Sequence, residues 1–330
     1  MKNAMECYSV GALLYCPANR EGAAQSIIRQ KFGDRFSLAF CLEDTIGDSS
    51  VTEAEENLKN TLEEIYRAAQ SESFYLPKIF IRVRSCEQIS RLMKAFGTAS
   101  ELIRGFILPK FSMENADAYI HTMVTLNEKS DRRIYMMPIF ESPTIIDLRN
   151  RYEILYGLKE KLDRVEELVL NIRVGGNDLC HMFGCRRHSN ESIHRISPIA
   201  GIFADIITVY GMDYVVSGPV WEYYDGPGWD DGLWQELADD RLCGFVGKTV
   251  IHPRQIGLVN QAYQVCRKDL EDARRILNWD TSASSLVSGS MAGERMNEYK
   301  THANWAKRIL LMAETFGVAE QSPAVLHIGE

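Results

Sequence analysis

The sequence predicts an α/β chain folded as a (β/α)8 TIM barrel with a C-terminal lid and helical extension. Short apolar runs alternate eight times with helix-like stretches, which implies an all-parallel sheet. The runs repeatedly end in charge: Cys41-Leu42-Glu43-Asp44, Ile81-Arg82-Val83-Arg84, Leu108-Pro109-Lys110, Ile139-Phe140-Glu141 and Gly175-Gly176-Asn177-Asp178. In a βα-barrel the C-terminal strand ends are where chemistry is done. An open dinucleotide-binding sheet would carry a glycine-rich loop after its first strand, whereas here that strand ends in Cys16-Pro17-Ala18-Asn19.

The expected strands cover residues 11–16, 37–42, 78–83, 105–108, 134–140, 167–174, 213–216 and 247–251. After the second strand, Thr52 with Glu55 three residues on reads as a capping box, and Leu58, Leu62 and Ile65 recur at helical spacing. Further helices are expected over 87–96, 113–127, 145–162, 192–207, 232–240 and 254–277. The last strand is interrupted by Lys248 and leaves the sheet at His252-Pro253, an ionisable ring followed by a rigid turn. The barrel is assigned residues 1–280. From 281 to 330 a small, polar stretch rich in Ser and Gly leads into a final helix whose Trp305, Ile309 and Met312 or Ala313 form an apolar stripe. A long loop of this kind reads either as a tether or as a lid over the barrel mouth.

The chain has 330 residues, 45% of them hydrophobic, enough for a full core. It contains no apolar run of transmembrane length, and its first residues lack a signal-peptide core, so a cytoplasmic location is expected. Cys16, Cys41 and Cys243, three of eight cysteines, lie in or beside apolar runs and read as reduced core residues. A net charge of −8 argues against nucleic acid or an anionic membrane as partner. A small anionic substrate fits, provided the site gathers its own positive charge.

Glu141 and Asp178 are the candidate metal ligands. They end sequential strands, and Mg²⁺ is satisfied by one or two carboxylates with water and substrate oxygens. Arg82 and Arg84 leave the third strand close together, and only one of them is expected to face the mouth. Arg82 is the expected inward residue, gripping a substrate carboxylate, with Arg84 pairing outside. Lys110 is a second candidate cation, and Glu43 and Asp44 are placed to orient Arg82 or a bound water. Cys180-His181 to Cys185-Arg186-Arg187-His188 does not match zinc spacings. Its two arginines read better as anion contacts. Trp221, Tyr223, Tyr224 and Trp229 read as a packed loop or as one wall of a ligand pocket. No nucleophile elbow or Walker A loop is present.

Together these motifs resemble the citrate lyase β-subunit-like enzymes, within the aldolase and lyase group that includes malyl-coenzyme A lyases. The resemblance runs from about Leu13 to Gln255. It rests on Tyr15-Cys16-Pro17-Ala18-Asn19, Leu42-Glu43-Asp44, Ile81-Arg82-Val83, Leu108-Pro109-Lys110 and Gly247-Lys248-Thr249-Val250-Ile251-His252-Pro253, with Glu141 and Asp178 where that family holds Mg²⁺. It implies a carbon–carbon lyase, or the reverse condensation, that stabilises an enolate with Mg²⁺. It also implies substrate contacts from Asn19, Arg82, Gly176, Pro219 and His252, and catalytic work by Arg82, Glu43, Asp44 and Lys110. A coenzyme A thioester substrate and a homo-oligomer, a trimer or its multiple, fit the same resemblance. The family's lid carries an acid–base aspartate that reaches a neighbouring subunit's site. The counterpart here is Glu298, within Arg295-Met296-Asn297-Glu298-Tyr299-Lys300. Arg84 also departs from the family's usual asparagine. These departures leave two alternatives open: a non-catalytic barrel subunit of a biosynthetic complex, and a pyruvate-type class II aldolase.

Overall fold

Eight β-branched and aromatic-rich runs form one parallel sheet in the computed structural model, which describes residues 4–320. The strands are β1 Ala12–Pro17, β2 Phe36–Cys41, β3 Lys78–Arg82, β4 Ile103–Leu108, β5 Tyr135–Phe140, β6 Ile172–Val174, β7 Val216–Ser217 and β8 Lys248–Val250. Their order is β7-β6-β5-β4-β3-β2-β1-β8. A parallel bridge from Gly218 to Lys248 joins the two ends and closes the barrel.

Alternation along each strand separates two cores. Leu13, Ala39, Phe80, Ile107, Met137 and Ile139 fill the barrel interior. Leu14, Leu38, Ile79, Ile81, Phe106 and Phe140 point outward and pack under the helices. Those helices are α1 Ala4–Tyr8, α2 Ala23–Ile28, α3 Val51–Ser71, α4 Cys86–Phe96, α5 Ala116–Glu128, α6 Arg151–Asp163, α7 Gly176–Met182, α8 Ser197–Tyr210, α9 Trp229–Cys243 and α10 Arg254–Ala262. None of the described helices is long and apolar enough to cross a membrane.

The helix expected over 254–277 is two helices. After α10 the chain turns extended at Val265–Cys266 (β9), and α11 Arg267–Leu277 starts afresh, with the Cys266 sulfur accepting from the Asp269 N–H. A two-residue strand near the end, Val318–Ala319, pairs with β9, and that pairing accounts for the break. Between them stand a hairpin, Val287–Gly289 (β10) with Met296–Glu298 (β11), and α12 Tyr299–Phe316; Val318–Ala319 is β12. Trp305 and Ile309 pack on Ala273 and Ile276 of α11, as the apolar stripe predicts. α11 and α12 pack on each other, so the final helix docks on the segment just before it. The expected capping box is not made: Ser50 is the N-cap of α3, without a side-chain cap bond, and Glu55 bonds Gln88 and Arg91 instead.

Candidate active site

Strand alternation aims one side chain from each of β3, β5 and β6 into the barrel mouth. Arg82 closes β3, sits 7% exposed, and directs Nη2 at three carboxylates. Glu43 lies at 2.6 Å, Asp44 at 2.8 Å and Glu141 at 3.2 Å. Burial works against the Arg82 charge, but Tyr15, Glu141 and Glu43 outweigh it and raise its pKa. Arg84, two residues past the end of β3 and no longer held by its alternation, turns away to Asp48 and the carbonyls of Leu42 and Ile46.

Lys110 follows Leu108-Pro109 with φ 49°, a left-handed conformation that a non-glycine residue adopts only under constraint. Asn115 supplies that constraint by donating to the Lys110 carbonyl at 3.0 Å. The turn aims the Lys110 N–H at Glu141 Oε1 (3.1 Å) and its ammonium at Glu43 and Asp44. Glu43 and Asp44 are pushed apart electrically. Burial raises the Glu43 pKa despite Arg82 and Lys110. For Asp44, burial is outweighed by hydrogen bonding from the Glu43 side and by Arg82 and Lys110, so its pKa is lowered.

Glu141 is 3% exposed. Burial pushes its pKa up to about 8, Arg82 opposes this, and the nearby Asp178 charge adds to it. Asp178 sits in the first turn of α7, where its carboxylate also meets the positive end of the helix. Gly175 makes this arrangement possible. A Cβ there would stand 2.9 Å from Glu141 Cδ and closer still to its Oε2 and Cβ. Both hydrogen bonds to Glu141, from Arg82 and Lys110, end on Oε1, which leaves Oε2 on the Gly175 side. Two neighbouring carboxylates, one with an oxygen uncommitted, are a donor set that suits a hard, octahedral cation holding several waters.

Tyr15, Asp44, Arg82, Glu141 and Asp178 line one cleft of about 190 Å³, with Gly176, Arg173 and Thr249. Of the remaining expected residues, Gly176 packs its α-carbon against Pro219 and Ile193, so Pro219 shapes the wall from behind. Asn19 is exposed beyond the end of β1. His252 stacks on Tyr224 at 4.8 Å and accepts from the Arg254 N–H, outside the cleft lining. Glu298 stays at the start of α12, bonded to Thr301 and His302, and does not line the cleft of its own chain.

Two readings are corrected. Arg187 does not offer itself to an anion: it is buried, paired with Glu236 at 3.1 Å, and lies 5.3 Å from the Trp221 ring. Trp221 is itself wholly buried, and none of the four loop aromatics lines the cleft, so that loop is packing. Lys248 likewise points outward from β8 to Glu236 (2.9 Å) and Asp240 (2.7 Å), with His194 on the far side of Asp240 at 2.8 Å. All eight cysteines are free, and the described residues contain no cluster of three or more His, Cys, Asp or Glu able to hold a metal. The sequence reading passed over Arg173. An arginine in the middle of a buried strand, in phase with Asn171 and Gly175, was the signal.

A closed parallel barrel with acids and cations gathered at its C-terminal rim defines a class of TIM-barrel enzymes. The family described as the C-C bond lyase of the TIM-barrel fold matches residues 4–318, and the chain belongs to it. The citrate lyase subunit beta of Escherichia coli K12 is 32% identical over 92 residues, 27% of this chain. That alignment spans 30% of the relative's own length. The Mycobacterium tuberculosis protein CitE, solved with magnesium, acetoacetate and coenzyme A, superposes with a TM-score of 0.61 at 17% identity. The match covers 93% of this chain and 99% of that one. The citrate lyase beta subunit of the same organism, solved with oxaloacetate and magnesium, gives 0.51 at 15% identity over 77% and 97%. At such identities the likeness is one of fold.

Proposed function

We propose that this chain is a Mg²⁺-dependent carbon–carbon lyase, working in either direction on a carboxylated hydroxyacyl or 2-oxo acid-like substrate. The observation that carries this reading is the gathering of Glu141, just after β5, and Asp178, in the first turn of α7, in one cleft beside Arg82. Cleavage moves the hydroxyl proton to a base and the C–C bonding pair onto an enolate oxygen, and the released carbon then takes a proton. Glu141 and Asp178 would hold Mg²⁺, which as a Lewis acid offsets charge developing on oxygen. Arg82 grips an anionic oxygen of the substrate, and Lys110 adds a second positive charge at the rim. Glu43 and Asp44 hold both cations in place. The magnesium in the two Mycobacterium tuberculosis structures supports the choice of metal, and the coenzyme A in one supports a thioester as one substrate form.

Calorimetry tests the metal assignment. Glu141→Ala should abolish Mg²⁺ binding with the fold intact, and unchanged affinity would rule the assignment out. Because burial and the Asp178 charge raise the Glu141 pKa, wild-type binding should release protons and tighten as pH rises. We further propose a cytoplasmic homo-oligomer, a trimer or its multiple, which light scattering on the purified chain checks. The alternatives are a non-catalytic barrel subunit and a pyruvate-type aldolase. The geometry of Arg82 with Glu141 and Asp178 weighs against the first, because a scaffold gains little from metal carboxylates.

A further inference from the structure

Among the described residues, five arginine and lysine side chains are buried: Arg82, Arg151, Arg173, Arg187 and Lys248. Four have carboxylate partners: Arg82 its three acids, Arg151 Asp205, Arg187 Glu236, and Lys248 both Glu236 and Asp240. Arg173 is the exception. It lies on β6, 1% exposed, and its Nη2 donates to Thr249 Oγ1 at 2.6 Å, while Nε and Nη1 have no hydrogen-bond partner. Burial lowers its pKa from the ordinary arginine value, and only the Tyr15 phenol, through its charge and a hydrogen-bonding contact, acts the other way; no carboxylate does. An arginine cannot escape by deprotonating. A buried charge without a counter-ion is strongly unfavourable, so native structures rarely keep one unless something else completes it.

Its position says what that something is. Arg173 lines the same cleft as Arg82, Glu141 and Asp178, and pairs in register with Ile139 and Ser217, below the level of Glu141. Tyr15 stands between the two guanidiniums, with Arg82 at 5.9 Å from its ring. The floor of the cleft therefore presents two guanidinium nitrogens without a hydrogen-bond partner and a positive charge, and the rim presents a second guanidinium beside the proposed metal carboxylates. The volume of about 190 Å³ is small against the roughly 300–1,000 Å³ of drug-sized sites, which restricts the inner end to a short acid.

We propose that Arg173 is a specificity residue that binds a second acid group of the substrate, a carboxylate or a phosphorus oxyanion, at the floor of the barrel. The proposal rests on the reading of this cleft as the substrate site. It restricts the substrates to compact dianions whose second acid group points inward, away from any acyl carrier at the mouth.

The test titrates the full-length chain by calorimetry with pyruvate, oxaloacetate and 3-phosphonopyruvate, each once with Mg²⁺ and once with EDTA. The three share a 2-oxo acid end, and the last two add a carboxylate or a phosphonate at the same carbon. Wild type should bind at least one dianion about 10- to 100-fold more tightly than pyruvate, the range expected for charge-assisted hydrogen bonds. The ranking of the two dianions identifies the acid group. Arg173→Met should bring the preferred dianion to the level of pyruvate and leave pyruvate within about twofold, whereas Arg173→Lys should keep part of the preference. If Arg173→Met fails to fold, the wild-type ranking and the lysine variant still decide. Equal binding of all three ligands by wild type, no binding of any, or equal weakening of all three by Arg173→Met overturns the proposal. Mg²⁺-dependent pyruvate binding without a dianion preference overturns this inference alone. A dianion preference that is the same in EDTA upholds it while counting against the metal reading.

Discussion

Gly175→Ala is the smallest change that should disable the site. A methyl group at this position would stand 2.9 Å from Glu141 Cδ and closer to Oε2 and Cβ. Carbon contacts are comfortable at roughly 3.5–4.0 Å, so the carboxyl group must withdraw by roughly 1 Å. Its hydrogen bonds to the Lys110 N–H at 3.1 Å and to Arg82 at 3.2 Å have no such slack. Overpacking of this kind costs about 1–3 kcal/mol, which should lower Tm by a few degrees. With Glu141 as the proposed metal ligand, its displacement should weaken Mg²⁺ binding by about 10- to 100-fold, the range found when supporting groups of a metal site are lost. Calorimetry reads the affinity and differential scanning reads Tm. Gly257→Ala is the control: Gly257 lies in α10 with nothing within 4 Å of the added methyl group, so it should match or slightly exceed wild-type stability. A Gly175→Ala protein with wild-type Mg²⁺ affinity and Tm would refute the argument that this glycine makes room for a working carboxylate.

Two other expectations follow from other parts of the molecule. Partial burial lowers the His194 pKa, but its bonds to Asp240 and Cys243 outweigh that and raise it to about 9. The folded value exceeds the unfolded one, so this stabilisation is complete below about pH 6.5 and is lost as pH rises through about 9. His194→Gln should thus lower Tm more in mildly acidic buffer than at about pH 10, and equal losses at both would contradict the ion pair. Glu298 reaches no cleft group in its own chain, so any acid–base role requires a second subunit. Glu298→Gln should lower turnover by about 100- to 10,000-fold, and mixing it with Arg82→Ala subunits should recover part of the activity. If exchanging mixtures stay as inactive as their parents, delivery across subunits fails, and full activity of Glu298→Gln removes the role.

The barrel was legible because its buried strands are unbroken apolar runs with charged ends. The residues gathered at the mouth, from Glu43 to Asp178, all sit at such ends. What escaped depends on contacts distant in sequence. The break between α10 and α11 has no glycine or proline to announce it and follows from β9 pairing with β12. Arg187 looked like an exposed loop cation, but Glu236, forty-nine positions on, takes it into the core. Thr52 and Glu55 have the spacing of a capping box, yet Glu55 is drawn to Gln88 and Arg91 of α4. Arg173 was hidden inside a strand whose inward phase is confirmed where Asn171 donates to Ser217 of the neighbouring strand β7.

The central claim is Mg²⁺-dependent carbon–carbon cleavage at the cleft of Arg82, Glu141 and Asp178. Proton NMR in D₂O tests it most directly, with the full-length chain acting on malyl, citramalyl and citryl thioesters, and on oxaloacetate or pyruvate with aldol acceptors for the reverse reaction. The account predicts that at least one substrate is split with a single deuterium placed on the released carbon, or is formed in the reverse direction. Turnover should require Mg²⁺ and disappear in Glu141→Ala and Asp178→Ala. Turnover that persists in EDTA or in either variant, or none with any member of the panel, would contradict it.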